Sequence, residues 1–202
     1  MKKLIFTFVL IMLAAASYAQ RGITTPVKLS FFGNNGPTDS IPGNVLTVMG
    51  LDIGLLGTTT PYVYGLQASI INSISDDLKG VQLAALGAAG KTTGIVLSPT
   101  VRGKAFGLAA SAISVNETTG LEIAALKYSD FYNMGVLING ISYTDGFGGL
   151  QIGLLNINKG MVVGVQIGLI NYARQLHGVQ IGLINVAYNG YVLALPICNF
   201  RF

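Results

Sequence analysis

Few side chains in this 202-residue chain are equipped for chemistry. His177 is its only histidine and Cys198 its only cysteine. A His-based triad or a cysteine–histidine metal cluster is therefore poorly supported, and no intrachain disulfide can form. Gly-x-Ser-x-Gly, the elbow that exposes a nucleophilic serine, does not occur. Gly87-Ala88-Ala89-Gly90-Lys91-Thr92 echoes a phosphate loop, but its first glycine lacks the spacing that lets backbone N–H groups cradle a phosphate. Asp52 and Glu122 remain. On a polar strand face they would bias a wet lumen towards cations, or pair with Lys127, Lys104 or Arg102. Nothing in this set calls for a cofactor or a metal, and a non-enzymatic role is expected.

Both carboxylates belong to a repeat. Gly149–Asn185 holds three near-copies of one phrase: Gly149-Leu150-Gln151-Ile152-Gly153-Leu154-Leu155-Asn156, Gly164-Val165-Gln166-Ile167-Gly168-Leu169-Ile170-Asn171 and Gly178-Val179-Gln180-Ile181-Gly182-Leu183-Ile184-Asn185. Followed upstream, the phase-setting glycines are Gly135, Gly120, Gly107, Gly94, Gly80, Gly65 and Gly50, at intervals of 13 to 15 residues. Such a period means one structural unit stacked on its neighbours. Within each unit the residues alternate, which is the period of a strand. One face carries Val179, Ile181, Leu183 and their counterparts, without charge. The other is small or polar and holds Asp52, Gln67, Gln82, Glu122, Gln151, Gln166 and Gln180, the candidate polar-face or lumen residues.

Composition points to apolar surroundings. Charged residues are 10% of the chain and hydrophobic ones 51%, with a mean hydropathy of +0.60, whereas charged residues make up about a quarter of a typical soluble domain. The N-terminus explains only part of this. Lys2-Lys3, the apolar run Leu4–Ala15 and Ser17-Tyr18-Ala19 form a three-part secretion signal over 1–19, with cleavage expected after Ala19. Without Lys2 and Lys3 the 12 basic residues fall to 10 against 8 acidic ones. A balance of about +2 gives no footing for nucleic acid. No later apolar stretch reaches the roughly 17 to 25 residues of a membrane helix, so contact with lipid would have to come through β-structure.

Two all-β folds bury or cover the apolar face. In the first, residues 20–49 supply a strand at Val27–Phe32 and an irregular segment, and 50–202 form a β-repeat domain continuous with it. About twelve short antiparallel strands, ending with Tyr191–Phe202, then close an outer-membrane-type barrel with Val, Ile and Leu towards lipid and Gly and Gln towards a narrow lumen. Asp145-Gly146 and Asn189-Gly190 suit its tight turns, and tyrosines near segment ends suit its interfacial girdles. The alternative is a parallel β-solenoid with one coil per repeat, which would stack Gln151, Gln166 and Gln180 into one amide ladder and Asn156, Asn171 and Asn185 into another. In that fold Val, Ile and Leu are expected inside. The barrel is the leading expectation, on composition and on the terminal Phe202.

The tandem Gly-Val-Gln-Ile-Gly-Leu-Ile-Asn phrase, with the closing Leu195-Pro196-Ile197-Cys198-Asn199-Phe200, resembles the exported bacterial surface repeat-containing proteins. The ending Asn199-Phe200-Arg201-Phe202 is also similar to the C-terminal signal of bacterial outer-membrane barrels. These resemblances imply an outer-membrane or cell-surface location with lipid as a partner, and they carry over no catalytic residue. The functional expectation is a structural or narrow-pore surface protein; the alternative is a soluble or peripheral solenoid that presents a flat Gln/Asn/Gly face to a partner, acting as an interaction or adhesion module. Mass spectrometry of the chain exported from a bacterial host is expected to find Gln20 as the first residue; a retained Met1 would refute the signal.

Overall fold

The structure, a computed structural model, describes residues 23–31 and 46–202. The expected signal peptide, Phe32 and the turn formers between 33 and 43 lie outside them. Eight extended segments follow in order: β1 (Ile23–Ser30), β2 (Leu46–Gly54), β3 (Gly57–Thr59), β4 (Tyr62–Ser69), β5 (Asn72–Leu83), β6 (Leu86–Leu97), β7 (Thr100–Ala187) and β8 (Ala194–Arg201). The described residues contain no helix.

The pairing decides the fold. β1 with β2, β2 with β4, β4 with β5, β5 with β6 and β6 with β7 all pair parallel. Their registers set Gly50 opposite Gly65, Gly65 opposite Gly80, Gly80 opposite Gly94, and Gly94 opposite Gly107. The chain is a parallel β-solenoid, one coil per repeat. This corrects the barrel, whose neighbouring strands would have to run in opposite directions. The recurrence of one residue type at one place in every unit has a physical reason only where equivalent positions stack, and parallel coils are the arrangement that stacks them.

Burial along one coil outlines its shape. From Gly164, Val165 points out, Gln166 in and Ile167 out; Leu169 and Ile170 both point out; Asn171 and Ala173 point in around Tyr172; Arg174 and Gln175 both point out; Leu176 points in. Two consecutive outward residues break a strand's alternation, so Leu169-Ile170 and Arg174-Gln175 are corners. Gly164, at φ +129°, is the third. Each coil thus has three short sides. The first runs from the phase-setting glycine to the Leu169-type corner, the second carries Asn171 and Tyr172, and the third carries Leu176.

Glycine at the first corner is imposed by the stack. All ten phase-setting glycines lie at φ between +117° and +149°, where an L side chain is strained. From Gly65 to Gly178, an added Cβ would fall 1.9 to 2.3 Å from the carbonyl oxygen of the glycine one coil earlier. The interior beside them is lined by the residue two places before each glycine: Val48, Val63, Leu78, Thr92, Ala105, Thr118, Asn133, Phe147, Val162 and Leu176, all buried. Leu137, Phe147, Val162, Ala173, Leu176 and Ala187 join there in one apolar cluster.

The C-terminal end is closed differently. Asn189-Gly190 sits in the turn leading out of β7, and β8 returns antiparallel over the last coil, with Val179 opposite Phe200, Gln180 opposite Asn199 and Ile181 opposite Cys198. Of the Asn-Gly and Asp-Gly pairs suited to hairpins, this one reverses the chain; Asp145-Gly146 lies inside β7. Pro196 falls in the terminal strand, where its missing N–H is tolerated.

Gly164→Ala is expected to destabilise the protein by about 2 kcal/mol or more in chemical denaturation. Gly87→Ala, whose added methyl meets side-chain atoms of Gln82 and Ser98 at 3.1 to 3.3 Å, should cost distinctly less.

Candidate functional surface

Every candidate polar-face residue lies inside the solenoid. Asp52, Gln67, Gln82, Glu122, Gln151, Gln166 and Gln180 occupy one interior column, two residues after each phase-setting glycine, and none is more than 1% exposed. Gln180 Nε2 donates to Gln166 Oε1 at 2.8 Å, and Gln166 Nε2 to Gln151 Oε1 at 3.0 Å. At the other end Gln82 Nε2 donates to Gln67 Oε1 at 2.9 Å and Gln67 Nε2 to Asp52 Oδ2 at 3.1 Å. Val96, Ala109 and Leu137 interrupt the column between these two runs. Across the interior, Asn156 Nδ2 donates to Asn171 Oδ1 and Asn171 Nδ2 to Asn185 Oδ1, both at 2.8 Å. The glutamines donate towards the N-terminal coils and the asparagines towards the C-terminal ones.

Carboxylates enter this interior only with partners. Asp52 accepts from Thr58 Oγ1 at 2.5 Å as well as from Gln67. Glu122 Oε2 receives Lys127 Nζ at 2.6 Å, and both side chains are fully buried. Of the three cations proposed for Glu122 from the sequence, Lys127 is the one that meets it. The same ammonium donates to Asn116 O at 2.8 Å and Asn116 Oδ1 at 2.5 Å, while Thr118 donates its hydroxyl to Glu122. Burial holds the Lys127 pKa below its ordinary 10.5 even though Glu122 beside it favours the charged form. Lys104 pairs instead with Glu117 at 2.9 Å on the surface.

The outer face of the first side is apolar. In the ten coils the two outward positions of the first side are Leu51, Leu66, Val81, Ile95, Leu108, Leu121, Val136, Leu150, Val165 and Val179, and Ile53, Ala68, Leu83, Leu97, Ala110, Ile123, Ile138, Ile152, Ile167 and Ile181. None is buried. β8 prolongs both columns with Phe200 and Cys198, both exposed. The adjoining corner adds exposed pairs such as Ile70-Ile71, Leu169-Ile170 and Leu183-Ile184. The expectation that a solenoid would bury this face is therefore reversed, and so is the idea that it would present its Gln and Asn residues to a partner. Within each run an amide meets the next one coil away, so most of the column's hydrogen-bonding capacity is met inside, with Gln180 Oε1 at its end left without a partner.

Within the ten coils, outward charge and aromatic rings are kept to the other two sides. Tyr128 stacks on Tyr143 with ring centroids 5.6 Å apart, and Lys159 Nζ sits 4.4 Å from the Tyr143 centroid and 3.4 Å from Asp130 Oδ1. Tyr143 and Asp130 hold the Lys159 pKa up. Tyr172 meets Tyr188 edge-on at 5.9 Å. Beyond the glycine corner, Lys79 lies 5.0 Å from the ring of Tyr64 and Lys91 5.1 Å from that of Phe106. His177 is exposed among these residues, and no group of three or more His, Cys, Asp or Glu suited to a metal occurs among the described residues. The phosphate-loop echo at Gly87–Thr92 is ordinary β6 strand. No protein-family model, curated protein or solved structure matches the chain.

Lys127→Met, which strands Glu122, is expected to cost about 3–5 kcal/mol, and Lys127→Met with Glu122→Leu to recover most of it, as read by denaturant unfolding. The pH dependence follows from the lowered pKa. Between the folded value and 10.5 the unfolded chain binds more protons at Lys127 than the folded one, so stability from this group rises with pH across that window. The stability difference between wild type and the double variant should shift towards wild type accordingly.

Proposed function

We propose that this chain is an exported, non-enzymatic surface module that works by contact, through the apolar first side of its solenoid. One observation carries the reading. The candidate carboxylates Asp52 and Glu122 and the glutamine column are turned inward and bonded to neighbours, while the most extensive uniform surface among the described residues is an unpaired sheet dominated by Val, Ile and Leu. Contiguous exposed apolar patches beyond a few hundred Å² mark interaction sites, and this one runs the length of the repeat.

A location at the cell surface or outer membrane is supported by the secretion signal expected at 1–19 and by the resemblance to exported surface repeat-containing proteins. The solenoid is a peripheral fold for that location. With an interior packed by Gln, Asn and apolar side chains, it takes over from the narrow pore as the working reading.

Cell fractionation tests this. Wild-type protein is expected in the envelope fraction, and Leu169→Asp with Leu183→Asp, both at an exposed corner of the apolar side, is expected to move most of it to the soluble fraction without changing its β circular dichroism spectrum. Equal soluble amounts of both proteins would refute a contact role for this side.

A further inference from the structure

From the first side and its borders we infer that the partner is a lipid bilayer, on which the solenoid lies lengthwise with its apolar side down. This deepens the contact-module reading and rests on it. Ten stacked coils make nine steps of about 4.8 Å, an uninterrupted aliphatic strip about 43 Å long, far longer than the depth of one leaflet. A strip lying flat buries all of it, whereas one standing upright would carry Asp130, Asp145, Lys159 and Arg174 into the hydrocarbon.

Uniformity of the strip argues against a protein partner. A second copy, or any protein sheet, needs features that fix its register, such as a charge pair or a large side chain facing a small one. Here 18 of the 20 outward positions are Val, Ile or Leu, with Ala68 and Ala110 the exceptions, and from Leu121 to Ile181 every one is, so a partner displaced by one coil there meets nearly the same surface. A fluid hydrocarbon phase needs no register.

The borders carry the second argument. Past the Leu169-type corner the coil meets tyrosines, Tyr128, Tyr143 and Tyr172, and two residues later the charges Asp130, Asp145 and Arg174. On the opposite border the aromatic–cation pairs Tyr64–Lys79 and Phe106–Lys91 take the same place. Aliphatic, then aromatic, then charged is the order of environments from acyl chains through the headgroup boundary to water. Lysines held against rings at that boundary keep their ammonium groups in water while their stems and the rings stay in the interface.

Flotation of the full mature chain with phosphatidylcholine vesicles tests the inference. Binding is expected to change less than twofold between 0.1 and 1 M salt, because no charge is engaged. Ile138→Lys with Ile167→Lys, both outward and 40% and 38% exposed, should weaken it at least tenfold. Val115→Lys with Met161→Lys, of similar exposure but on the other two sides, should bind like wild type. Light scattering without lipid separates the ways of failing. A wild-type dimer that does not float and that the first double variant dissociates overturns the bilayer while leaving a contact role for this side. A wild-type monomer that does not float overturns both. Equal loss in the two double variants would overturn the assignment to the first side.

Discussion

The parallel stacking of side-chain amides is the constraint from which the rest of this structure follows. A Gln column can be buried only if each amide meets another one coil away, and that requires coils in register and running the same way. Once Gln166 is held between Gln151 and Gln180, its neighbours Val165 and Ile167 are committed to the outside, because adjacent residues of a strand face opposite ways. The inverted distribution of polarity is thus a consequence of where hydrogen bonds can be completed, and it runs against the transfer preference of Val and Ile.

The chain adapts where amides give out. Between the two glutamine runs the column passes through Val96, Ala109, Glu122 and Leu137. Around Glu122 the interior compensates with Lys127, whose ammonium lies within hydrogen-bond distance of four oxygens on three residues, Asn116, Thr118 and Glu122 itself. Beside it the column led by Val48 and ending in Leu176 supplies the conventional apolar packing, with Phe147 as its largest member. Ladder, ion pair and hydrophobic column are three solutions to filling one narrow interior at a fixed spacing.

Much of this was legible in the residues. Glycine intervals of 13 to 15 marked the units, and the recurrence of Gln and Asn at fixed places predicted both ladders in the form now seen. Alternation, however, separates two faces without saying which one is inside, and the preference of Val, Ile and Leu for burial supplied the wrong answer for the solenoid and the right one only for the barrel. The buried apolar column two places before each glycine escaped notice because Thr92, Thr118 and Asn133 break its pattern; its regular offset from the glycine was the available signal. Pairing direction was hidden for a different reason. Asp145-Gly146 has the chemistry of a hairpin turn, yet the stack carries it straight through, while Asn189-Gly190, free of a further coil, reverses the chain.

That reversal has a consequence for growth. A column of parallel coils is chemically a living chain end: each coil exposes the template for the next, and nothing in the repeat itself says when to stop. β8 ends propagation by inverting polarity while keeping the code of the surface, with Asn199 inward over Gln180 and Phe200 outward over Val179. The edge it leaves runs the wrong way to receive another parallel coil. A unit gained or lost behind it leaves this last pairing unchanged, because β8 contacts the final coil alone and is indifferent to how many coils precede it.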